Sequence, residues 1–179
     1  MKCLIVNADD FGASRGINRG IIEAHRHGIV TSTSLMVDTP WSEEAAMLSR
    51  TVPDLSVGLH VHLTAQAEYP IAGPDDHDNC RAELDRQLSR FQELMGRLPT
   101  HLDSHHNIHR QPRLLPQFLD LARQYGLPLR EHSPVRYFSK FYGQWGGETH
   151  LEQISVERLM RMLEIDVQEA ITEVGCHPG

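Results

Sequence analysis

Leu4-Ile5-Val6-Asn7-Ala8-Asp9-Asp10-Phe11-Gly12 runs three apolar residues straight into a pair of carboxylates and a glycine. A short apolar run of this kind reads as a buried strand, and the Asp pair falls at its C-terminal end. The layout recurs along the chain. Leu55-Ser56-Val57-Gly58-Leu59 ends in His60-Val61-His62, and Thr100-His101-Leu102-Asp103-Ser104 ends in His105-His106-Asn107-Ile108-His109. Val174-Gly175-Cys176 leads into His177-Pro178-Gly179. In parallel α/β sheets and barrels, the C-terminal strand ends open on one face, where active sites sit. Strand ends rich in Asp and His therefore predict one metal site assembled from distant parts of the sequence.

The segments between these ends read as helices. Ile17 to Gly28 places Ile17, Ile21, Ile22 and Ala24 on one face, with Gly28 as its stop. Ser42 is an N-cap for a helix running through Ser49. Cys80 to Gly96 repeats Leu84, Leu88, Phe91, Leu94 and Met95 near a 3.6-residue period. Leu114 to Tyr125 is stopped by Gly126, and Ser155 caps a helix to Leu163. Val30 to Met36 is a further strand, and Leu129-Arg130 starts a short strand or turn. Asp9 to Gly16 and Gln66 to Asn79 read as loops, and Ser133 to Glu148 as an irregular, aromatic-rich stretch. Alternating strand and helix predicts a parallel sheet with helices outside. The expectation is a single α/β domain over residues 1–179, a TIM-barrel-like (β/α) barrel. Roughly five or six βα units fall short of the eight of a full barrel. The sequence stops directly after its last strand, so the barrel is expected to be incomplete, a C-terminally truncated one.

Bulk properties narrow the function. The 179 residues suit one domain. A formal net charge of −7 argues against a nucleic-acid or polyanion partner, which needs a basic face. It leaves a neutral sugar open. Cys3, Cys80 and Cys176 show no metal-type spacing and no disulfide framework, which fits a reducing compartment. No apolar run approaches the ~20 residues of a membrane span, and the N-terminus has no signal-peptide pattern. The expected location is the cytoplasm, with monomer and homodimer both open.

Twelve histidines are many for this length. His25, His27, His77, His132 and His150 show no motif and read as surface residues; the others cluster. Adjacent carboxylates such as Asp9 and Asp10 point in opposite directions on an extended strand. One can then bind a metal while the other faces elsewhere, unless the chain has already turned. His60 and His62 alternate, so both imidazoles face one side while Leu59, Val61 and Leu63 take the other. His105 and His109 would share a face if the chain turned helical. His105 can ligate directly, with His106 or His109 behind it or against substrate. Two His and one Asp with positions left open form a common catalytic layout for Zn²⁺ and other divalent ions. A free carboxylate beside the reacting water can act as general base, and His177 can protonate a leaving amine.

These residues carry a resemblance. Asn7-Ala8-Asp9-Asp10-Phe11-Gly12, Gly58-Leu59-His60, Thr100-His101-Leu102-Asp103-Ser104-His105-His106 and Cys176-His177-Pro178-Gly179 resemble the motifs of the YdjC-like carbohydrate deacetylases, whose best-known members are chitooligosaccharide deacetylases. Ile29-Val30-Thr31-Ser32-Thr33 and Phe141-Tyr142-Gly143-Gln144 fit as well. The resemblance implies a TIM-barrel-like fold, one divalent ion (Mg²⁺ or Zn²⁺) and hydrolysis of an N-acetyl group on a small amino sugar or oligosaccharide. Asp10, His60 and His105 match the metal ligands, Asp9 the presumed base and His177 the presumed acid. His62 stands where the family usually has Thr, Asn or another small residue, and family members typically continue past the Cys-His-Pro-Gly motif. His62, His106, Arg130, Tyr142 and Trp145 are the candidate substrate contacts, with Tyr142 or Trp145 able to stack on a sugar ring. A metal phosphoesterase is the alternative enzyme, with Arg130 and Arg136 as its phosphate contacts. A non-catalytic sugar- or metal-binding protein is the third reading.

Overall fold

A computed structural model of the chain describes residues 3–63, 77–145, 148–165 and 171–178. Its elements alternate as the sequence suggests. In chain order they are β1 (Cys3–Phe11), α1 (Arg15–His27), β2 (Ser32–Leu35), α2 (Ser42–Ser49), β3 (Ser56–Val61), α3 (His77–Met95), β4 (Leu102–Ser104), α4 (Leu115–Tyr125), β5 (Arg136–Phe138), β6 (Gln144–Trp145), β7 (Glu148–Thr149), α5 (Val156–Ile165) and β8 (Ile171–Cys176). Six strands form one sheet in the order β4-β3-β2-β1-β8-β5, and every pairing in it is parallel. Parallel neighbours require crossover connections, which the helices supply. Leu129 adds a parallel bridge to Leu102 beyond β4. The short β6–β7 ribbon stands apart as an antiparallel pair.

The sheet curls into a partial barrel, and one side chain measures the curl. Arg130 follows the bridge at the β4 edge. Its Nη2 nevertheless lies 2.8 Å from Asp9 Oδ1 on β1, 2.7 Å from Asp103 Oδ2 on β4 and 2.7 Å from Glu173 Oε1 on β8. In a flat sheet, β4 and β8 would be about 19 Å apart at ordinary strand spacing. The concave side therefore holds a buried charged cluster. The apolar core lies on the other side, between sheet and helices, where Leu35, Leu59, Val61, Leu84, Phe91, Leu102, Phe118 and Leu121 are all buried. The architecture is the incomplete (β/α) barrel that the alternation predicts.

Several local expectations are corrected. β1 continues through Asp9 and Asp10 to Phe11 instead of ending before them. Helix α3 begins at His77, so the end of the expected 66–79 loop is helical, and residues 64–76 lie outside the described residues. Ser42 is the first residue of α2, not its cap; Trp41 holds that position, and the Ser42 hydroxyl donates to the Met36 carbonyl at 2.7 Å. The stretch 133–148 is not wholly irregular, since it supplies β5 at the sheet edge. Ser155 does cap α5, accepting a bond from Arg158 N at 3.1 Å, and Gly126 ends α4 in the left-handed conformation. Among the described residues, no helix is long and apolar enough to cross a membrane.

Candidate active site

The strand ends converge as the parallel topology requires. The register of β1 against β2 slips between Ala8 and Phe11, and Asp10 has φ +67°. A bulge with a left-handed residue breaks the alternation of an ideal strand. Both carboxylates consequently line the same cleft, instead of diverging as straight-strand geometry predicts. The cleft has a volume of about 250 Å³, and His105, His106, Tyr142 and His177 complete its polar lining.

Asp10, His60 and His105 each offer a ligand atom, and those atoms lie within 4.8 Å of one another. Asp10 Oδ1 is 2.9 Å from His105 Nδ1 and 3.2 Å from His60 Nε2. The second contact is off the angle of a hydrogen bond, so the buried His60 Nε2 has no hydrogen-bond partner among the described residues. A buried donor atom aimed at an imidazole and a carboxylate, yet bonded to neither, fits a cation ligand. His60 is fixed from behind by β3–β4 pairing, which puts it in register with Asp103. Its Nδ1 lies 2.7 Å from Asp103 Oδ1 and 3.2 Å from Ser34 Oγ. A second ligand set, Asp9, His60 and Asp103, also closes within 4.8 Å. Arg130 already places its cation between those two carboxylates, so the open set is the one on the cleft.

Electrostatics follow from this packing. Burial opposes charge on Asp10, yet the hydrogen bond of His105 and the charges of His105 and His60 hold its carboxyl well below the usual range. Burial alone would depress His60; the charge of Asp103, the bond to Asp103 and the neighbouring Asp10 carboxylate push it up to about 10. A cation binding there would release that proton. Burial lowers His177, against the pull of Asp9 and Asp10. His62 and His106 are lowered by burial and by their imidazole neighbours.

The remaining expected residues are placed as follows. Asp9 is 2% exposed, accepts both Nη groups of Arg130 at 2.9 and 2.8 Å, and takes a bond from Asn7 Nδ2 at 2.9 Å. His177 Nε2 lies 3.5 Å from Asp10 Oδ2, and the Tyr142 ring stands 3.8 Å from the His177 ring. His62 lies just past β3 with its ring edge-on to His105 at 5.0 Å, and His106 lies 3.9 Å from the same ring. Arg130 is the main correction. At 3% exposure it sits beneath Asp9, under the ring of Tyr137, and is absent from the cleft lining; as a direct substrate contact it is misplaced. His109 does not share a face with His105. His106 and Asn107 adopt φ +55° and +51°, and that kink turns His109 inward onto Ser104 Oγ at 2.6 Å. The stacking role expected of the Trp145 side chain lies outside the described residues. Asp103, Ser34 and Glu173 support the site without having been assigned roles. Asp103 stands within a quoted strand-end motif, and Glu173 precedes His177 by four residues, which strand alternation puts on one side.

A partial (β/α) barrel with an Asp-His-His set on its C-terminal rim, backed by a buried Asp-Arg pair, is the class that fold and site define. The YdjC-like protein family model matches residues 3–179, and the chain belongs to that family. It is 38% identical to a chitooligosaccharide deacetylase of Serratia marcescens, over 99% of this chain and 82% of that one. It is 35% identical to a carbohydrate deacetylase of Geobacillus stearothermophilus, over 98% and 78%. Among solved structures, an Enterococcus faecalis protein provisionally described as a cellobiose-phosphate cleavage protein is 31% identical, with a TM-score of 0.81 over 99% of this chain and 81% of that one.

Proposed function

We propose that this chain is a metal-dependent carbohydrate deacetylase, hydrolysing the N-acetyl group of a small amino sugar or oligosaccharide. The observation that carries the reading is the meeting of Asp10, His60 and His105 beside Asp9 and His177 in one cleft. The deacetylase names of relatives at 35–38% identity support the same chemistry. A divalent cation held by Asp10, His60 and His105 would supply Lewis acidity, polarising the acetamide carbonyl and easing deprotonation of the attacking water. The two-imidazole donor set favours Zn²⁺ over Mg²⁺.

The protein's own groups divide the proton transfers. Asp9 is the acceptor: it borders the cleft, and Arg130 fixes its plane from below. His177 is the donor to the departing amine; its lowered pKa makes the imidazolium a ready acid. Tyr142 packs against the His177 ring and limits its rotation. The neutral sugar agrees with a cleft that offers carboxylates and imidazoles instead of a free cation. A phosphate ester would need such a cation, and Arg130 is committed to Asp9, Asp103 and Glu173. Cys3 and Cys176 are free thiols, which supports a cytoplasmic location.

The test is acetate release from a panel of N-acetylated mono- and oligosaccharides by zinc-loaded protein, with phosphate release from sugar phosphates measured beside it. Acetate from at least one sugar is expected. Phosphate release alone would replace the deacetylase reading with the phosphoesterase one, and neither product would leave the binding-protein reading.

A further inference from the structure

Helix α3 turns two polar side chains inward among apolar ones. Glu83 and Gln87 are one helical turn apart, on the face that also carries Leu84, Leu88 and Phe91. They are 0% and 1% exposed. Burying a carboxylate and an amide is costly unless each finds partners, and packing alone would be served by apolar residues. The partners show what the pair holds. The Gln87 amide grips both backbone groups of His62: Oε1 accepts from the His62 N–H at 3.1 Å, and Nε2 donates to the His62 carbonyl at 2.9 Å. Among the described residues, strand pairing stops short of His62: β3 is in register with β2 as far as Leu59 and with β4 as far as Val61. Gln87 thus stands in for a neighbouring strand just beyond the sheet.

Glu83 fixes which way that amide faces. Its Oε1 accepts from Gln87 Nε2 at 2.7 Å, and a flipped amide would set oxygen against this carboxylate and against the His62 carbonyl. Arg86 holds Glu83, with Nε on Oε2 at 2.9 Å and Nη2 on Oε1 at 2.7 Å. Asp38, just after β2, holds Arg86 in turn, its Oδ1 3.0 Å from Nη1.

The clamp matters because of where the His62 ring goes. The ring is absent from the cleft lining and stands edge-on to His105, at 5.0 Å between centres. His60 has Asp103 behind its ring; among the described residues, His105 has no such carboxylate behind it. Its Nδ1 faces Asp10, and the rings of His60, His62 and His106 surround it at 5.6, 5.0 and 3.9 Å. His106 is itself exposed, on left-handed backbone, whereas His62 is tied to a buried helix face.

We propose that Gln87 is a positioning residue for the metal centre: by clamping the backbone of His62, it sets the His62 ring as a brace that keeps His105 aimed at Asp10 and His60. The proposal rests on the reading of Asp10, His60 and His105 as the cation's ligands, and not on the identity of the reaction.

The experiment measures zinc affinity at one pH, by competition with a chromophoric chelator, on folded wild type, Gln87→Leu, His62→Ala and the double variant. Gln87→Leu keeps most of the bulk and removes both bonds to His62. His62→Ala removes the brace and leaves the clamp. Each is expected to weaken zinc binding about 10-fold. The double variant should bind no more weakly than the weaker single one, because both changes act through one ring. Additive losses, or wild-type affinity in either single variant, overturn the proposal. A purely structural Gln87 would lower the urea midpoint and leave zinc affinity in place. Where Gln87→Leu does not fold, Gln87→Asn draws the same amide back from His62 and is read in the same way. Acetate release is followed on the same samples. A wild type that binds zinc but releases no acetate ends the deacetylase reading, and the affinities still decide this one; a wild type that binds no zinc ends both.

Discussion

Nδ1 of His60 stands 2.7 Å from Oδ1 of Asp103, and neither side chain is exposed. That contact turns Nε2 toward Asp10 and the cleft, as a carboxylate behind a metal-binding imidazole does. Asp103→Asn keeps the shape, removes the charge that raises His60 and takes one counter-ion from Arg130. Zinc affinity is expected to fall about 10–100-fold, read by competition with a chromophoric chelator. Unchanged affinity would mean that packing alone orients His60.

Ligands and base separate by what each loses. His60→Ala or His105→Ala removes one of the three converging ligand atoms, so zinc content and acetate release should fall together. Asp9→Asn should retain zinc, because Asp9 belongs only to the set that Arg130 crosses, and lose about 10²–10⁴-fold in turnover. Elemental analysis beside the acetate assay distinguishes the two patterns. Full turnover in Asp9→Asn would remove it as the base.

What the sequence made legible follows from period and punctuation. Apolar runs ending in Asp and His marked the strand ends, because a buried parallel strand must be apolar and its polar residues collect at the rim. The Asp10, His60 and His105 cluster was within reach on that ground, together with the family resemblance. The Asp9–Asp10 geometry was not, because a bulge at φ +67° is a tertiary choice that an Asp-Asp pair does not announce. Arg130 was misread for a related reason. Its partners Asp9 and Glu173 lie 121 and 43 residues away, and only the curl of the sheet brings them under one guanidinium. The helical spacing of His105 and His109 misled because His106 and Asn107 interrupt it with left-handed backbone.

Gly12 carries a backbone prediction. It has φ +96°, and a Cβ there would lie 2.7 Å from the Met36 carbonyl oxygen. Its N–H donates to Asn18 Oδ1 at 2.7 Å, tying the turn after Asp10 to α1. Gly12→Ala meets both the left-handed penalty and the clash, so a loss of at least about 2 kcal/mol is expected in urea denaturation. Because the turn holds the Asp10 bulge, zinc affinity should weaken too. A stable variant with wild-type affinity would show that the loop shifts freely.

His109 gives the pH dependence of stability a sign. It is fully buried, and that burial together with the charge of Arg130 brings its imidazole down to about 4 against the pull of Asp103. The unfolded chain, with an ordinary value near 6.5, then binds more protons than the folded one. Stability from this residue is present above pH 6.5 and is lost as pH falls through 4, by up to about 3 kcal/mol. His109→Gln should flatten that decline in melts taken between pH 7 and 4, at some cost in stability at pH 7 from the altered bond to Ser104. An equally steep decline in the variant would assign the acid sensitivity elsewhere.

Metal stoichiometry decides between the enzyme readings. Asp9, His60 and Asp103 approach one another as closely as the cleft set does, and on distance alone they could hold a second ion. Arg130 Nη2 already lies 2.8 Å from Asp9 Oδ1 and 2.7 Å from Asp103 Oδ2, and its burial leaves it no other place to go. A dication between those oxygens would face that cation at contact distance. One zinc per chain is therefore expected after loading and desalting, measured by elemental analysis. Two per chain would require Arg130 to swing out of the barrel, and would restore the phosphoesterase reading with Arg130 as the phosphate contact it now cannot be.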